Sequence, residues 1–282
     1  MTEHFQPPKR LFRYFSPRHS RLFIDQKLWF STAQDFNDIF EVVPRYDDLV
    51  PRLVEEGMKV TYAFTDQAVV PNWHAYRKAL EKANKELIDE CNETFPDGFQ
   101  AKFSEHFGIL CFSEHLDSLL MWGHYTDCHK GFAVEFDPRH TLFTVRDFGK
   151  VTYPTTRPFV EQKEKMLLMK SPEWEYEAEH RLIKPHHELV PETSEAAGVK
   201  KTRYYLRLPM DSVKAIYFGC RMDAKIRRDL LTPLDSFPQI QSFFMRRNQT
   251  AYKLDPIPWK DWKEPKHDAI QDFNALWGSV GL

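Results

Sequence analysis

Glycine-rich nucleotide loops are missing from this sequence. With 10 glycines in 282 residues, it holds no G-x-x-x-x-G-K loop, no G-x-G-x-x-G turn and no G-x-S-x-G elbow, so kinase, dinucleotide dehydrogenase and ordinary hydrolase readings lose their main support. Cysteine is sparse as well. Cys91, Cys111, Cys128 and Cys220 lie far apart without a C-x-x-C pair, and reduced thiols are expected rather than a disulfide framework. No uninterrupted apolar run approaches the ~18 residues of a membrane helix. The opening MTEHFQPPKRLFRYF carries neither the apolar stretch nor the cleavage site of an export signal. These absences predict a cytoplasmic protein with no membrane partner. A dominant charge is lacking too: 39 Lys+Arg against 41 Asp+Glu leave a net charge of -2. No whole-protein field recruits nucleic acid, anionic lipid or acidic ligands, although a local basic patch is compatible with that balance.

Core-forming material is plentiful, at 42% hydrophobic and 15% aromatic residues, beyond what a disordered chain carries. The expectation is a flexible N-terminus over residues 1–10, then a single α+β domain over 11–282 with a mixed or antiparallel central sheet and an exposed, mobile loop near 190–202. Residues 11–15 and 27–32 read as aromatic-rich strands. Tyr76, Leu80, Ala83, Leu87 and Cys91 recur at three- and four-residue steps, the period of one helical face, and Pro96-Asp97-Gly98 reads as the turn that ends it. Residues 108–112 and 132–136 read as strands, as does 180–184, preceded by an ambiguous stretch after Ser171-Pro172-Glu173 that has the form of a helix entry. A strand from Val213, a helix over 224–231 and a strand over 240–245 form a βαβ unit.

Chemistry-bearing residues concentrate between Cys111 and Lys130 and again at Glu177-Ala178-Glu179-His180-Arg181. Trp122, His124 and Tyr125 are suited to stacking on a planar ligand and sharing a proton with it, and His129 and Lys130 follow closely. Their plain alternative is a short helix with Leu119 to Trp122 buried and His124 satisfied by a carbonyl. In an extended stretch Glu177 and Glu179 point to one face, where mutual repulsion leaves one carboxyl poised for proton transfer; a solvated face of ion pairs with Arg181 is the alternative. Asn37-Asp38-x-Phe40-Glu41 reads as a turn closed by Asn or Asp side chains, with Glu41 able to reach a cleft. Cys111, His115, His124, Cys128 and His129 are zinc-competent donors, but their spacing matches no standard knuckle and no metal is expected.

Four blocks together resemble a bacterial family, domain of unknown function 2971: Leu11-Phe12-Arg13-Tyr14; Leu28-Trp29-Phe30-Ser31 running into Phe36-Asn37-Asp38-Ile39-Phe40-Glu41; Leu110-Cys111-Phe112-Ser113-Glu114 with Leu120 to Tyr125 and His129 to Phe132; and Trp174 to Arg181. Ile39 stands where that family usually has proline. The resemblance names a family without an activity. In motif order, Arg13 on an early strand, Ser31-Thr32 on a second and Glu177-x-Glu179 later are similar to ADP-ribosyltransferases.

That similarity implies an NAD-consuming transferase or glycohydrolase, a toxin or phage-defence effector, with a nucleotide or dinucleotide as ligand and a protein or nucleic-acid acceptor. Arg13, with Tyr14 beside it, would hold the phosphates, and Ser31 and Thr32 would support the nicotinamide ribose. Glu179 would stabilise the oxocarbenium-like centre, with Glu177 orienting or deprotonating the acceptor. Trp122 or Tyr125 would wall the nicotinamide, and His124 completes the catalytic set. The gap from Arg13 to Ser31 is short for that scheme, and the block from Cys111 to Gly131 has no clear duty in it. Two other classes fit the residues: a non-catalytic module reading a nucleotide, nucleic-acid end or protein through Trp122, His124, Tyr125, His129 and Lys130, and a metal-dependent nuclease or hydrolase using His124, His129 and nearby acids.

Overall fold

The computed structural model describes residues 7–47, 52, 73–145, 147–160, 166–196 and 198–263. Residues 1–6 of the expected flexible N-terminus, and the end of the expected domain from 264, lie outside the described residues. The chain is α+β. Strands β1 (Leu11–Phe15) and β2 (Lys27–Phe30) flank the short helix α1 (Ser20–Ile24); helices α2 (Trp73–Thr94) and α3 (Pro96–Ser104) precede β3 (Phe107–Ser113). Helix α4 (Leu119–Tyr125) leads into β4 (Phe132–Phe136), followed by β5 (Phe148–Lys150), β6 (Glu179–Pro185), β7 (Val190–Ala196), β8 (Val199–Arg207) and β9 (Val213–Phe218). Helix α5 (Ala224–Leu231), β10 (Gln241–Arg247) and β11 (Leu254–Pro258) complete the order.

Eight strands form one mixed sheet in the order β11-β10-β9-β4-β1-β3-β6-β5, and β2-β8-β7 form a second, antiparallel sheet. Among the described residues only β9 and β10 pair in parallel within the large sheet, and α5 makes the crossover that a parallel pair requires. Asp223 starts that helix by accepting hydrogen bonds from the amides of Lys225 and Ile226, the capping chemistry of a short acidic side chain. The sheet is buried on both faces near its middle. In β4, Phe132, Val134 and Phe136 pack into a core with Leu11, Phe112, Leu182, Ile216 and Phe218, and Ala133 packs on the opposite side with Phe12, Trp122 and Tyr217. Strand alternation therefore builds two hydrophobic layers from one sequence run. No helix among the described residues is long and apolar enough to cross a membrane.

Several local expectations are corrected. Residues 190–195 and 200–202 are exposed, but in the hairpin of β7 and β8 rather than a loop, with register from Val190↔Tyr205 to Ala196↔Val199. Gly198 takes a φ of +76° at its tip, and the polar residues that resemble loop composition occupy a solvated sheet. Helix α2 ends at Thr94, just ahead of Pro96, but Pro96-Asp97-Gly98 is the first turn of α3 rather than a loop turn, and there the missing N–H of proline costs nothing. On α2, Ile88 and Cys91 pack with Tyr46 and Val160, while Leu87 of the expected stripe is 41% exposed. Arg10 is tied down: its guanidinium donates two 3.0 Å bonds to Glu135 and one of 3.1 Å to Tyr217 Oη.

Candidate active site

The site begins with a split in the large sheet. Strand β1 pairs with β4 along its whole length but meets β3 at a single position, Phe12↔Ser113. Where the two strands part, backbone carbonyls lose their ladder partners and need other donors. Arg13 supplies them: Nη1 donates to the Cys111 carbonyl at 2.9 Å and Nη2 to the Trp29 carbonyl at 3.4 Å. The opening is a cavity of about 680 Å³, within the size range of small-ligand sites.

Helix α4 closes one side. Ser118 caps it by accepting from the Met121 amide at 3.3 Å, and the helix buries Met121 and Trp122 while its last turn sends His124 and Tyr125 to the cavity. The chain then reverses through Asp127, Cys128 and His129, three consecutive residues with φ between 51° and 67°. Gly131 makes this turn fit: a Cβ there would lie 1.9 Å from the Phe15 carbonyl.

Glu177 and Glu179 form the floor, although not as an extended pair. Glu177 ends a 3-10 turn over Pro172–Glu177, Ala178 adopts a left-handed conformation with φ 43° and ψ 55°, and Glu179 opens β6. The reversal at Ala178 still directs both carboxylates to one ammonium: Lys170 Nζ lies 2.5 Å from Glu177 Oε2 and 3.4 Å from Glu179 Oε2. Arg181 extends the network, donating from Nε and Nη2 to Glu179 at 2.9 and 3.1 Å and from Nη1 and Nη2 to Glu41 at 2.6 and 2.9 Å. All five side chains are buried, which excludes the solvated ion-pair face. Tyr125 Oη donates to Glu177 Oε1 at 2.5 Å. Tyr176 Oη lies 3.0 Å from His124 Nδ1, and Trp174 stands near both rings.

Electrostatics separates the two acids. Burial is the largest influence on Glu177 and holds its carboxyl above the ordinary value against the pull of Lys170. Burial acts the same way on Glu179, but Arg181 and Lys170 outweigh it and bring that carboxyl down to about 2. Glu41 is raised, because burial exceeds the opposing effect of Arg181. Lys170 is disfavoured by burial yet raised overall by Glu179 and Glu177. The Tyr125 phenol is pushed up by burial and then by Glu177, so it remains a donor. Two adjacent carboxyls displaced in opposite directions are a pattern of acid–base sites.

Of the residues singled out in the sequence, Arg13, Tyr14, Ser31, Asn37, Cys111, His124, Tyr125, Glu177 and Glu179 line this one cavity. Thr32, Trp122, His129 and Lys130 do not. Thr32 caps the turn at Ala33–Asp35 through Asp35. Trp122 is fully buried, donates to the Leu116 carbonyl at 2.6 Å and meets Tyr14 edge-on; it is core, not a ligand wall. His129 is half-buried in the left-handed turn, and Lys130 is exposed and paired with Asp127. Arg13 is corrected in role, since two of its nitrogens serve backbone carbonyls. Among the described residues no three His, Cys, Asp or Glu side chains gather as metal ligands. Lys170, Arg18 and His19 line the cavity without any signal in the sequence. Lys170 follows an apolar run, Met166 to Met169, and nothing local marks it. Comparison with protein-family models, curated proteins and solved structures finds no match.

Proposed function

We propose that the cavity binds NAD or a closely related dinucleotide and breaks its N-glycosidic bond, with Glu177 as the reacting carboxylate. The observation that carries this is the unequal state of the two acids. Both oxygens of Glu179 are taken by Arg181, with Lys170 beside them, whereas Glu177, held by Lys170 through Oε2, has at Oε1 the Tyr125 hydroxyl as its partner among the described residues. Departure of nicotinamide leaves positive charge at the ribose C1′ while the bond's electron pair stays on the pyridine nitrogen. A nearby carboxylate stabilises that charge, and a carboxylate with a raised pKa is the better base for the water or acceptor hydroxyl that attacks C1′. Glu179 acts through Lys170 and Arg181 and positions the floor. The test is incubation of the purified protein with NAD and measurement of nicotinamide. The expected result is release that falls by about 10²- to 10⁴-fold in Glu177→Gln, the range for loss of a positioned acid–base group. No release from the unsubstituted protein, or release unchanged in Glu177→Gln, overturns the proposal.

One observation favours a second reading, a binding module without turnover. Lys170 and Arg181 already compensate the buried acids, as a structural ion network does. NAD would then raise the thermal midpoint of the protein with no nicotinamide formed. Ligand at ~100 times its dissociation constant adds about 2.7 kcal/mol.

A further inference from the structure

A group of cations beside the cavity has no role in the carboxylate chemistry. After β1 the chain turns through Ser16 to His19, and Ser16, Arg18 and His19 all line the cavity with Ser31. Arg203 stands outside the cavity lining but close to it on the other sheet, near enough for its charge to act on His19. Phe30 and Tyr204 are the last pair between β2 and β8, and Ser31 and Arg203 are the residues next beyond them. Arg18 and Arg203 are exposed and have no ion pair or hydrogen bond among the described residues. The acids nearest in the fold are occupied: Asp35 caps Thr32 and contacts Lys201 at 3.5 Å, and Glu192, opposite Arg203 in the hairpin, pairs with Lys27. Burial and the charges of Arg18, Arg13 and Arg203 push the His19 imidazole down to about 4. Its neutral ring contacts Ser16 Oγ at 3.0 Å. Arg13, in the lining of the same cavity, has its Nε buried without a hydrogen-bond partner among the described residues.

We infer that Arg18, Arg203 and His19, with the Ser16 and Ser31 hydroxyls, form a subsite for the diphosphate of a nucleotide. One unpaired guanidinium and two hydroxyls lining the hollow, with a second unpaired guanidinium near its rim, suit phosphate oxygens, to which arginine donates in a fork. The inference moves the phosphates from Arg13 to a neighbouring cluster. It rests on the proposed nucleotide ligand but not on bond cleavage.

Calorimetric titration of the full chain with inorganic pyrophosphate and with ADP tests it, adenosine serving as the phosphate-free control. Arg18→Gln/Arg203→Gln changes two exposed side chains, and circular dichroism checks its fold. The expected result is pyrophosphate and ADP binding that weakens roughly tenfold or more in the double variant, as charge-assisted bonds are lost. Partial recovery is expected in Arg18→Lys/Arg203→Lys, and adenosine affinity should change little. Three results overturn the inference: no pyrophosphate binding at low salt, equal affinity in the glutamine variant, or displacement of ADP by a single-stranded oligonucleotide but not by pyrophosphate. Nicotinamide release measured on the same preparations separates the two proposals. Pyrophosphate binding without NAD cleavage rejects the cleavage and retains the subsite, whereas cleavage with unchanged pyrophosphate affinity in the glutamine variant does the reverse.

Discussion

Replacing Arg181 with methionine keeps much of the side-chain volume and removes the guanidinium that joins two buried acids. Arg181 is fully buried, and the substitution deletes its bonds to Glu41, to Glu179 and to the Leu167 carbonyl at 2.9 Å. Glu179 retains Lys170 at 3.4 Å, but Glu41 keeps no charged partner within ion-pair distance among the described residues. Breaking a buried pair by removing one member costs about 3–5 kcal/mol, because the remaining charge is uncompensated. Glu41 can escape part of that cost by taking a proton, since burial already raises its carboxyl. A carboxyl raised in the folded state contributes stability that is present below its unfolded pKa and is lost as pH rises through the folded one. Arg181→Met should therefore be penalised more at pH 8 than at pH 5. Urea unfolding at both pH values measures this, with an unchanged slope confirming that the midpoint reports stability. Adding Glu41→Gln should recover part of the loss at pH 8. A loss below about 1 kcal/mol, typical of an exposed pair, or a loss equal at both pH values, would refute the view that this guanidinium neutralises buried carboxylates.

Two further outcomes are expected. Gly131→Ala should cost several kcal/mol, because the new Cβ would lie 1.9 Å from a backbone oxygen and the backbone must move. Gly123→Ala in α4, with nothing within 4 Å of its Cβ, should be neutral or stabilise by roughly 0.5–1 kcal/mol through helix propensity; equal thermal shifts for the two would contradict the packing of the 126–131 turn. Burial works against the charge of Glu179, but Arg181 and Lys170 outweigh it and hold its carboxyl below the ordinary value, so its ionised form contributes stability that is fully present above its unfolded pKa. That stability is lost as pH falls from about 4.5 towards 2, while Glu177 and Glu41, shifted the other way, act with the opposite sign. Glu179→Gln should flatten the urea midpoint across this window, and an unaltered profile would count against the assignment.

Local chemistry was readable where local forces decide the outcome. The run Phe132 to Phe136 is apolar at nearly every position and forms a strand in the sheet interior, and Asp223 ahead of Ala224–Leu231 caps a helix as its side chain allows. Misreading began where long-range pairing prevails. Pro191, Ser194 and Gly198 carry loop signals, but pairing across β7 and β8, with Thr193 and Thr202 hydroxyls 2.9 Å apart, holds the segment as strands. Glu177 and Glu179 converge as alternation predicts, for a different reason: Ala178 turns left-handed between them.

The cavity itself depends on something no local window contains, the length of a strand pairing. Had β1 and β3 paired throughout, the Cys111 carbonyl would have had a ladder donor, and Arg13 would have been free for a ligand. Because they touch only at Phe12↔Ser113, the same arginine is drawn into the backbone, and the hollow it spans opens beside Lys170, Glu177 and Glu179. An arginine on an early strand marks the place of the site without marking its own task. That task is set by which carbonyls the register leaves unpaired. It follows that cations reading the ligand should be sought at the rim, in side chains whose donors the fold has not already used, and Arg18 and Arg203 meet that condition where Arg13, apart from its Nε, does not.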